Sequence, residues 1–101
     1  MYIYNVTVGV DKSIEQEWLI WLKEVHVPAI MKTGLFVDNR IYKVVGVDEQ
    51  QSVSYATQYV AQSLMEIDQY LKLHAHRLQD EGHTRFGDKQ ATFLTVLEEV
   101  F

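Results

Sequence analysis

His26 is the residue in this sequence best suited to acid–base chemistry. It follows Trp21 on a predicted helix and precedes Pro28, which has no backbone N–H to donate to the carbonyl of Glu24. An imidazole beside such an irregular backbone could move protons near neutral pH. Alternatively, the ring could have a structural role and cap the carbonyl that the proline leaves free. Both roles remain open, and His26 is the only predicted catalytic residue.

Six further side chains are candidates for ligand binding: Asn5, Trp18, Trp21, Tyr55, Gln58 and Tyr59. Asn5, Tyr55, Gln58 and Tyr59 lie on two predicted strands. If the amide of Asn5 or Gln58 were buried there without a hydrogen-bond partner, it would cost about 1–3 kcal/mol. These polar groups could line a pocket that holds a ligand, or they could form a cross-strand hydrogen-bond network with nothing bound. The two tryptophans are three residues apart on one helical face, so they could form an aromatic wall for a ligand or pack in the core.

The histidines do not show a metal-binding pattern. His74 and His76 are two residues apart and therefore point to different sides of a helix, and no HExxH motif accompanies them. The chain has no cysteine, no glycine-rich phosphate loop and no serine nucleophile motif. We therefore expect neither a metal nor a cofactor.

The composition predicts a single folded domain over residues 1–101. Hydrophobic residues make up 48% of the chain, and only one proline and five glycines are present. The net charge of −5 argues against nucleic-acid binding, which needs a basic surface to neutralise phosphates. No apolar run approaches the ~20 residues that cross a bilayer. We expect a cytoplasmic protein that binds neither nucleic acid nor membrane.

The hydrophobic periodicity predicts an alternation of strands and helices along the chain. Strands are predicted over Tyr2–Val10, Phe36–Val47, Val53–Ala61 and Ala91–Val100; helices over Ser13–Gly34, interrupted at Pro28, and Ser63–Leu78; and a polar loop over Gln79–Gln90. The order βαββαβ, with two right-handed crossovers around a hairpin, is typical of the ferredoxin-like fold. The prediction is an α+β protein, with a four-stranded antiparallel sheet and two helices on one face.

Both faces of the predicted sheet carry apolar side chains. In the last strand Phe93 and Leu97 point to one side, whereas Leu94 and Val96 point to the other. Two helices can cover only one face, and a large exposed apolar sheet is unusual for a monomer. We therefore predict a homodimer packed sheet to sheet through an isologous contact. The alternative is a monomer with a mixed outer face.

The chain resembles a small, uncharacterised bacterial family, a domain of unknown function related in shape to the dimeric α/β-barrel proteins. The resemblance covers nearly the whole chain and rests on Tyr4–Val8 (YNVTV), Glu17–Pro28 (EWLIWLKEVHVP), Thr33–Phe36 (TGLF), Tyr55–Val60 (YATQYV), Tyr70, Phe86-Gly87 and Ala91–Glu98 (ATFLTVLE). It implies a ferredoxin-like fold and a dimeric α/β barrel, but no assigned reaction. That superfamily includes cofactor-independent monooxygenases, muconolactone-type isomerases and haem-handling enzymes, so fold alone cannot select a function.

Two functions follow from these observations. The first is a dimeric domain that binds a small ligand or a protein partner without catalysis. The alternative is a cofactor-independent enzyme of the monooxygenase or isomerase type, acting on a small apolar substrate with His26 as proton shuttle. A hydrophobic cavity with His26 or Asn5 at its wall would favour the enzyme. A solidly packed interior would favour the binding or structural domain.

Overall fold

A computed structural model describes residues 1–46 and 51–101 of the chain. The strands are β1 (Tyr2–Asp11), β2 (Asp38–Lys43), β3 (Ser52–Ala61) and β4 (Gln90–Glu98), and the helices are α1 (Glu15–Trp21), α2 (Val27–Met31), α3 (Leu64–Leu73) and α4 (Ala75–Phe86). A π turn, Leu22–His26, joins α1 to α2, and 3-10 turns precede α1 and β4. Val47, which ends the predicted second strand, and most of the predicted turn after it lie outside the described residues.

The four strands form one antiparallel sheet in the order β2-β3-β1-β4. Side chains alternate between its faces, and β3 is buried at every second residue from Val53 to Ala61. Both helical segments pack on that face, since Trp18 of α1 contacts Tyr55 and Tyr70 of α3 contacts Tyr4. The predicted ferredoxin-like α+β fold is confirmed.

Four aromatic rings fill the core between α3 and the sheet. Tyr4, Phe36, Tyr59 and Tyr70 contact one another with ring centroids 5.2–6.2 Å apart. Such aromatic contacts stabilise the fold beyond the effect of the apolar area that the rings bury. Burial raises the pKa of Tyr4 to about 12, and Gln79 of α4 donates a hydrogen bond to its hydroxyl at 3.3 Å.

The first helical segment changes its winding immediately before the proline. Pro28 is the second residue of α2, and in the π turn before it the Val27 N–H donates to the carbonyl of Leu22, five residues back. The predicted interruption is therefore a π turn followed by a new α-helix, and the chain stays helical through it. The segment ends before Gly34, whose φ of +77° favours glycine, as predicted.

The second helical segment is longer than predicted. The loop prediction for Gln79–Gln90 is wrong over most of its length, because α4 continues to Phe86. Gly82 lies inside this helix and is buried against Trp21. Glycine lowers intrinsic helix propensity by about 1 kcal/mol, but here close packing of the backbone on an indole determines the structure.

The second strand is shorter than predicted, because Phe36 leaves the sheet. β2 begins at Asp38, and Phe36 is 5% exposed within the aromatic core rather than on a strand face. The sheet face opposite the helices carries Tyr42, Phe93 and Leu97, which are all exposed. In the described part of the chain, no helix has the length and apolar character to cross a membrane.

Candidate functional site

A cavity of about 410 Å³ lies between the helical layer and the sheet. It is bounded by α1 and the π turn on one side, by α4 on another, and by β1, β3 and β4 beneath. Ligand pockets in proteins commonly measure about 300–1,000 Å³, so this cavity can hold a small organic molecule. The cavity is open to solvent on one side, and inner lining residues such as Trp18 and Tyr59 are each only 1% exposed.

The deep walls of the cavity are apolar and aromatic. Val6 and Val8 of β1 and Tyr59 of β3 form the floor, and Trp18 and Trp21 form the helical wall. The sheet places the valines and the tyrosine on one face because β1 and β3 are paired in register, with Tyr4 opposite Tyr59. Such a surface favours an apolar ligand, since its burial removes apolar area from water.

His26 lines the same cavity from the end of the π turn. Its ring stacks on Trp21 with centroids 4.5 Å apart and planes inclined by 23°. Nδ1 is buried and has no hydrogen-bond partner among the described residues, so it does not cap the carbonyl that Pro28 leaves free. Burial lowers the pKa of His26 to about 4, so the ring is neutral at pH 7.

Gln90 connects the start of β4 to the helical wall. The Nε1–H of Trp18 donates to the Gln90 side-chain oxygen at 2.9 Å, which satisfies an indole that is only 1% exposed. Both residues line the cavity, and Thr57, 3% exposed, adds a hydroxyl to its floor. This hydrogen bond therefore fixes one aromatic wall relative to the sheet.

Gly82 brings α4 close to the cavity wall. A Cβ atom there would lie 2.8 Å from Cη2 of Trp21 and 3.3 Å from Nε2 of Gln90. The first of these distances is too short for real carbon contacts, so any side chain would displace the indole or the helix. Glycine at this position allows Trp21, Gln90 and α4 to meet around the cavity.

The open side of the cavity carries the charged and titratable groups of α4. His76, Asp80 and His83 fall at positions i, i+4 and i+7 on one helical face and line the cavity. Nε2 of His76 lies 3.6 Å from a carboxylate oxygen of Asp80, and both side chains are more than half exposed. In the described ranges, no group of three or more histidine, cysteine, aspartate or glutamate side chains could hold a metal ion.

The structure brings together four of the seven residues predicted as site residues: His26, Trp18, Trp21 and Tyr59 all line the cavity. Tyr55 lies next to it, packed on Trp18 with its hydroxyl donating to Glu15.

Asn5 and Gln58 are not in the cavity. They are directly opposite each other in the β1–β3 pairing, on the sheet face away from the helices. There the Asn5 amide donates to the Thr7 hydroxyl at 3.1 Å. These two amides therefore belong to the outer surface of the sheet rather than to the candidate site.

Sequence reasoning missed every cavity residue on α4. The cavity residues outside the predicted set are Val6 and Val8 of β1, Leu22 of the π turn, Thr57 of β3, His76, Gln79, Asp80, Gly82 and His83 of α4, and Gln90 and Thr92 of β4. A helical signal was present, because Ala75, Leu78, Gly82 and Phe86 recur at helical spacing and are all buried. Counting Gly82 as a small core residue rather than a turn residue would have extended the helix.

The chain belongs to the family described as a domain of unknown function, DUF4286, whose model matches residues 1–100. This confirms the predicted kind of family, a domain of unknown function. No curated protein matches the sequence.

Several solved structures share the fold at low sequence identity. An ethyl tert-butyl ether D (EthD) family protein from Bacillus halodurans has a TM-score of 0.69 at 16% identity, over 99% of this chain and 100% of that one. HapK from Hahella chejuensis gives 0.68 at 9% identity, over 99% and 93%. A dimeric ferredoxin-like protein from an uncultured marine organism gives 0.67 at 15% identity, over 100% and 96%. These likenesses show the ferredoxin-like fold.

Proposed function

We propose that this protein binds a small, mainly apolar molecule in the cavity between its helices and its sheet, without a metal or cofactor. The observation that carries the proposal is the cavity itself, with its aromatic wall of Trp18 and Trp21 and the neutral His26 ring.

The binding domain acts as a homodimer in the cytoplasm. The outer sheet face exposes Phe93 at 66% and Tyr42 at 48%, with Leu97 beside them. A second copy packed on this face would remove these side chains from water through an isologous contact. Two structures with the same fold are described as dimeric ferredoxin-like proteins, which supports this arrangement. The absence of cysteine agrees with a cytoplasmic location.

A second candidate function is catalysis by proton transfer, and the position of His26 at the cavity wall favours it. The neutral ring could remove a proton from a bound substrate and return it at another atom, as in an isomerisation. A monooxygenase reaction would also need dioxygen as oxidant. However, general bases are most efficient when their pKa lies near the working pH, and burial lowers the pKa of His26 to about 4. Ligand binding is therefore the better supported function.

Binding in the cavity can be tested with N-phenyl-1-naphthylamine, a neutral dye that becomes fluorescent in apolar sites. We expect one dye molecule per chain. Thr92 lies on β4 at the cavity, and Thr92→Trp should fill the opening and weaken binding at least about tenfold. Leu94→Trp is the matched control, because Leu94 shares that strand and face but does not line the cavity.

Three results would count against the proposal. These are no dye binding by the wild-type protein, equal binding by the Thr92→Trp variant, or equal weakening by the Leu94→Trp control. Native mass spectrometry of freshly purified protein would report any retained ligand and the number of chains per particle in one measurement.

A further inference from the structure

One buried polar atom in the candidate site has no partner. Among the residues that the structure describes, Nδ1 of His26 is the only buried side-chain nitrogen or oxygen without a hydrogen bond. Buried polar groups are nearly always paired, because an unpaired one forfeits its hydration without replacement. Nδ1 itself has almost no accessible surface, but the His26 ring is partly exposed and lines the cavity, so a molecule in the cavity meets the remaining, accessible part of the imidazole.

The π turn is what places this ring against the cavity wall. Residues five apart lie on different sides of an α-helix, but the wider π winding, with its i to i+5 hydrogen bonds, aligns them. His26 can therefore stack on Trp21. π turns are frequent at functional sites, and this one is an independent reason to assign a ligand contact to His26.

The chemistry around the ring restricts the charge of that ligand. The cavity residues with a carboxylate or a second imidazole, Asp80, His76 and His83, belong to its exposed side on α4. Away from α4, the polar side chains of the lining other than His26, such as Thr57, Tyr59 and Gln90, are uncharged. A charged group placed there would lose its hydration without a counter-ion.

We infer that the ligand is an uncharged, mainly apolar molecule with a hydroxyl group, and that this hydroxyl forms a hydrogen bond with the His26 ring. The inference rests on the proposed binding of a molecule in the cavity. A hydroxyl both donates and accepts, so it pairs with an imidazole nitrogen in either tautomer. A carboxylate only accepts and carries a charge. The low pKa of His26 agrees with this, because a neutral ring does not compensate an anion.

Three probes of nearly equal size separate the alternatives: 2-naphthol, naphthalene and 2-naphthoate, measured at pH 7 by displacement of N-phenyl-1-naphthylamine. Naphthalene is the most apolar of the three, so burial of apolar area alone would favour it. We expect 2-naphthol to bind about five to ten times more tightly than naphthalene, which is the effect of one net hydrogen bond, and 2-naphthoate to bind least.

His26→Phe keeps a ring beside Trp21 but removes both nitrogens, so the preference for 2-naphthol over naphthalene should fall towards one. His74→Phe is the matched control, because His74 lies outside the cavity lining, and it should keep the preference. A second measurement needs no variant: in the ¹⁵N spectrum of the wild-type protein, 2-naphthol should shift the ring nitrogens of His26, whereas naphthalene should have little effect on them.

Equal binding of 2-naphthol and naphthalene, tighter binding of 2-naphthoate, or unchanged His26 nitrogens would each overturn the assigned ligand chemistry. The same holds if the dye binds and none of the three probes displaces it, and in each of these cases the proposed binding in the cavity would stand. If the dye itself does not bind, the proposed function fails, and this inference fails with it.

Discussion

Trp21 and His26 are five residues apart in sequence, yet their rings stack with centroids 4.5 Å apart. The contact exists because the turn between them is wound as a π helix, which places residues i and i+5 on the same side of the helix. Pro28 lies two residues after His26, and its missing N–H removes one α-helical hydrogen bond from this segment. A local backbone irregularity thus builds an aromatic cavity wall with an imidazole in it.

The buried His26 should make the protein less stable in mild acid. The pKa of the ring is about 4 in the folded protein and about 6.5 when exposed, so between these values the unfolded chain binds the extra proton. The free energy of unfolding should therefore fall as the pH drops from about 6.5 to about 4, by up to roughly 3 kcal/mol from this residue.

Urea denaturation across this pH range should show a clearly smaller loss in His26→Phe than in the wild-type protein. Carboxylates also titrate in part of this range, so the difference between the two proteins isolates the imidazole. Leu94→Phe, at an exposed position and without loss of a titratable group, should keep the wild-type dependence. Identical pH profiles for His26→Phe and the wild-type protein would mean that His26 is not held neutral by burial.

Gly82→Ala should destabilise the protein although alanine is the better helix former. The new methyl would lie 2.8 Å from the Trp21 indole, and overpacking of this kind costs about 1–3 kcal/mol, against about 1 kcal/mol gained in helix propensity. We expect a net loss of up to about 2 kcal/mol in urea denaturation, together with altered tryptophan fluorescence.

Gly9→Ala is the matched control, since a Cβ at Gly9 would have an ordinary contact, 3.8 Å from the Ser54 hydroxyl oxygen. It should be close to neutral. If Gly82→Ala were as stable as the wild-type protein with unchanged fluorescence, α4 would not pack on Trp21 as described.

The sheet and its order could be predicted from the sequence because alternation is a local signal. β1 and β3 match their predicted ranges to within one residue at each end, and the two crossovers follow from the order of the elements. Gly82 and Phe36 were misassigned for a different reason. Each is placed by tertiary packing, one against Trp21 and the other in the aromatic core, and a single-sequence pattern has no information about such partners.

The site was predictable only in part, for the same physical reason. His26, Trp18, Trp21 and Tyr59 were identified by type and position, and they line one cavity. The position of Asn5 on the sheet face opposite this cavity follows from strand parity, but the sequence alone did not show which face the helices would cover.

The proposed dimer contact can be broken by a charge on the outer sheet face. Phe93→Lys should convert a dimer of about twice 11.8 kDa into a monomer in multi-angle light scattering. An isologous contact presents each substitution twice, so two unpaired lysine charges would be buried in an apolar interface. Ile20→Lys, at an exposed apolar position on α1, should leave the mass unchanged. A wild-type mass of one chain, or a Phe93→Lys variant that stays dimeric, would exclude this face as the contact.

The hydrogen bond between Trp18 and Gln90 should stabilise the cavity wall. Gln90→Leu removes the acceptor of the Trp18 Nε1–H, and an indole only 1% exposed cannot turn to water instead. Leaving this donor unpaired should lower the free energy of unfolding by about 1–3 kcal/mol in urea denaturation. Gln90→Glu keeps an oxygen acceptor and should lose less.

A double variant with Trp18→Phe completes a mutant cycle, because the loss due to Gln90→Leu should largely disappear once the donor is gone. If Gln90→Leu cost the same with phenylalanine at position 18, the cost would come from another contact of Gln90, and the hydrogen bond would not be what fixes Trp18 to β4.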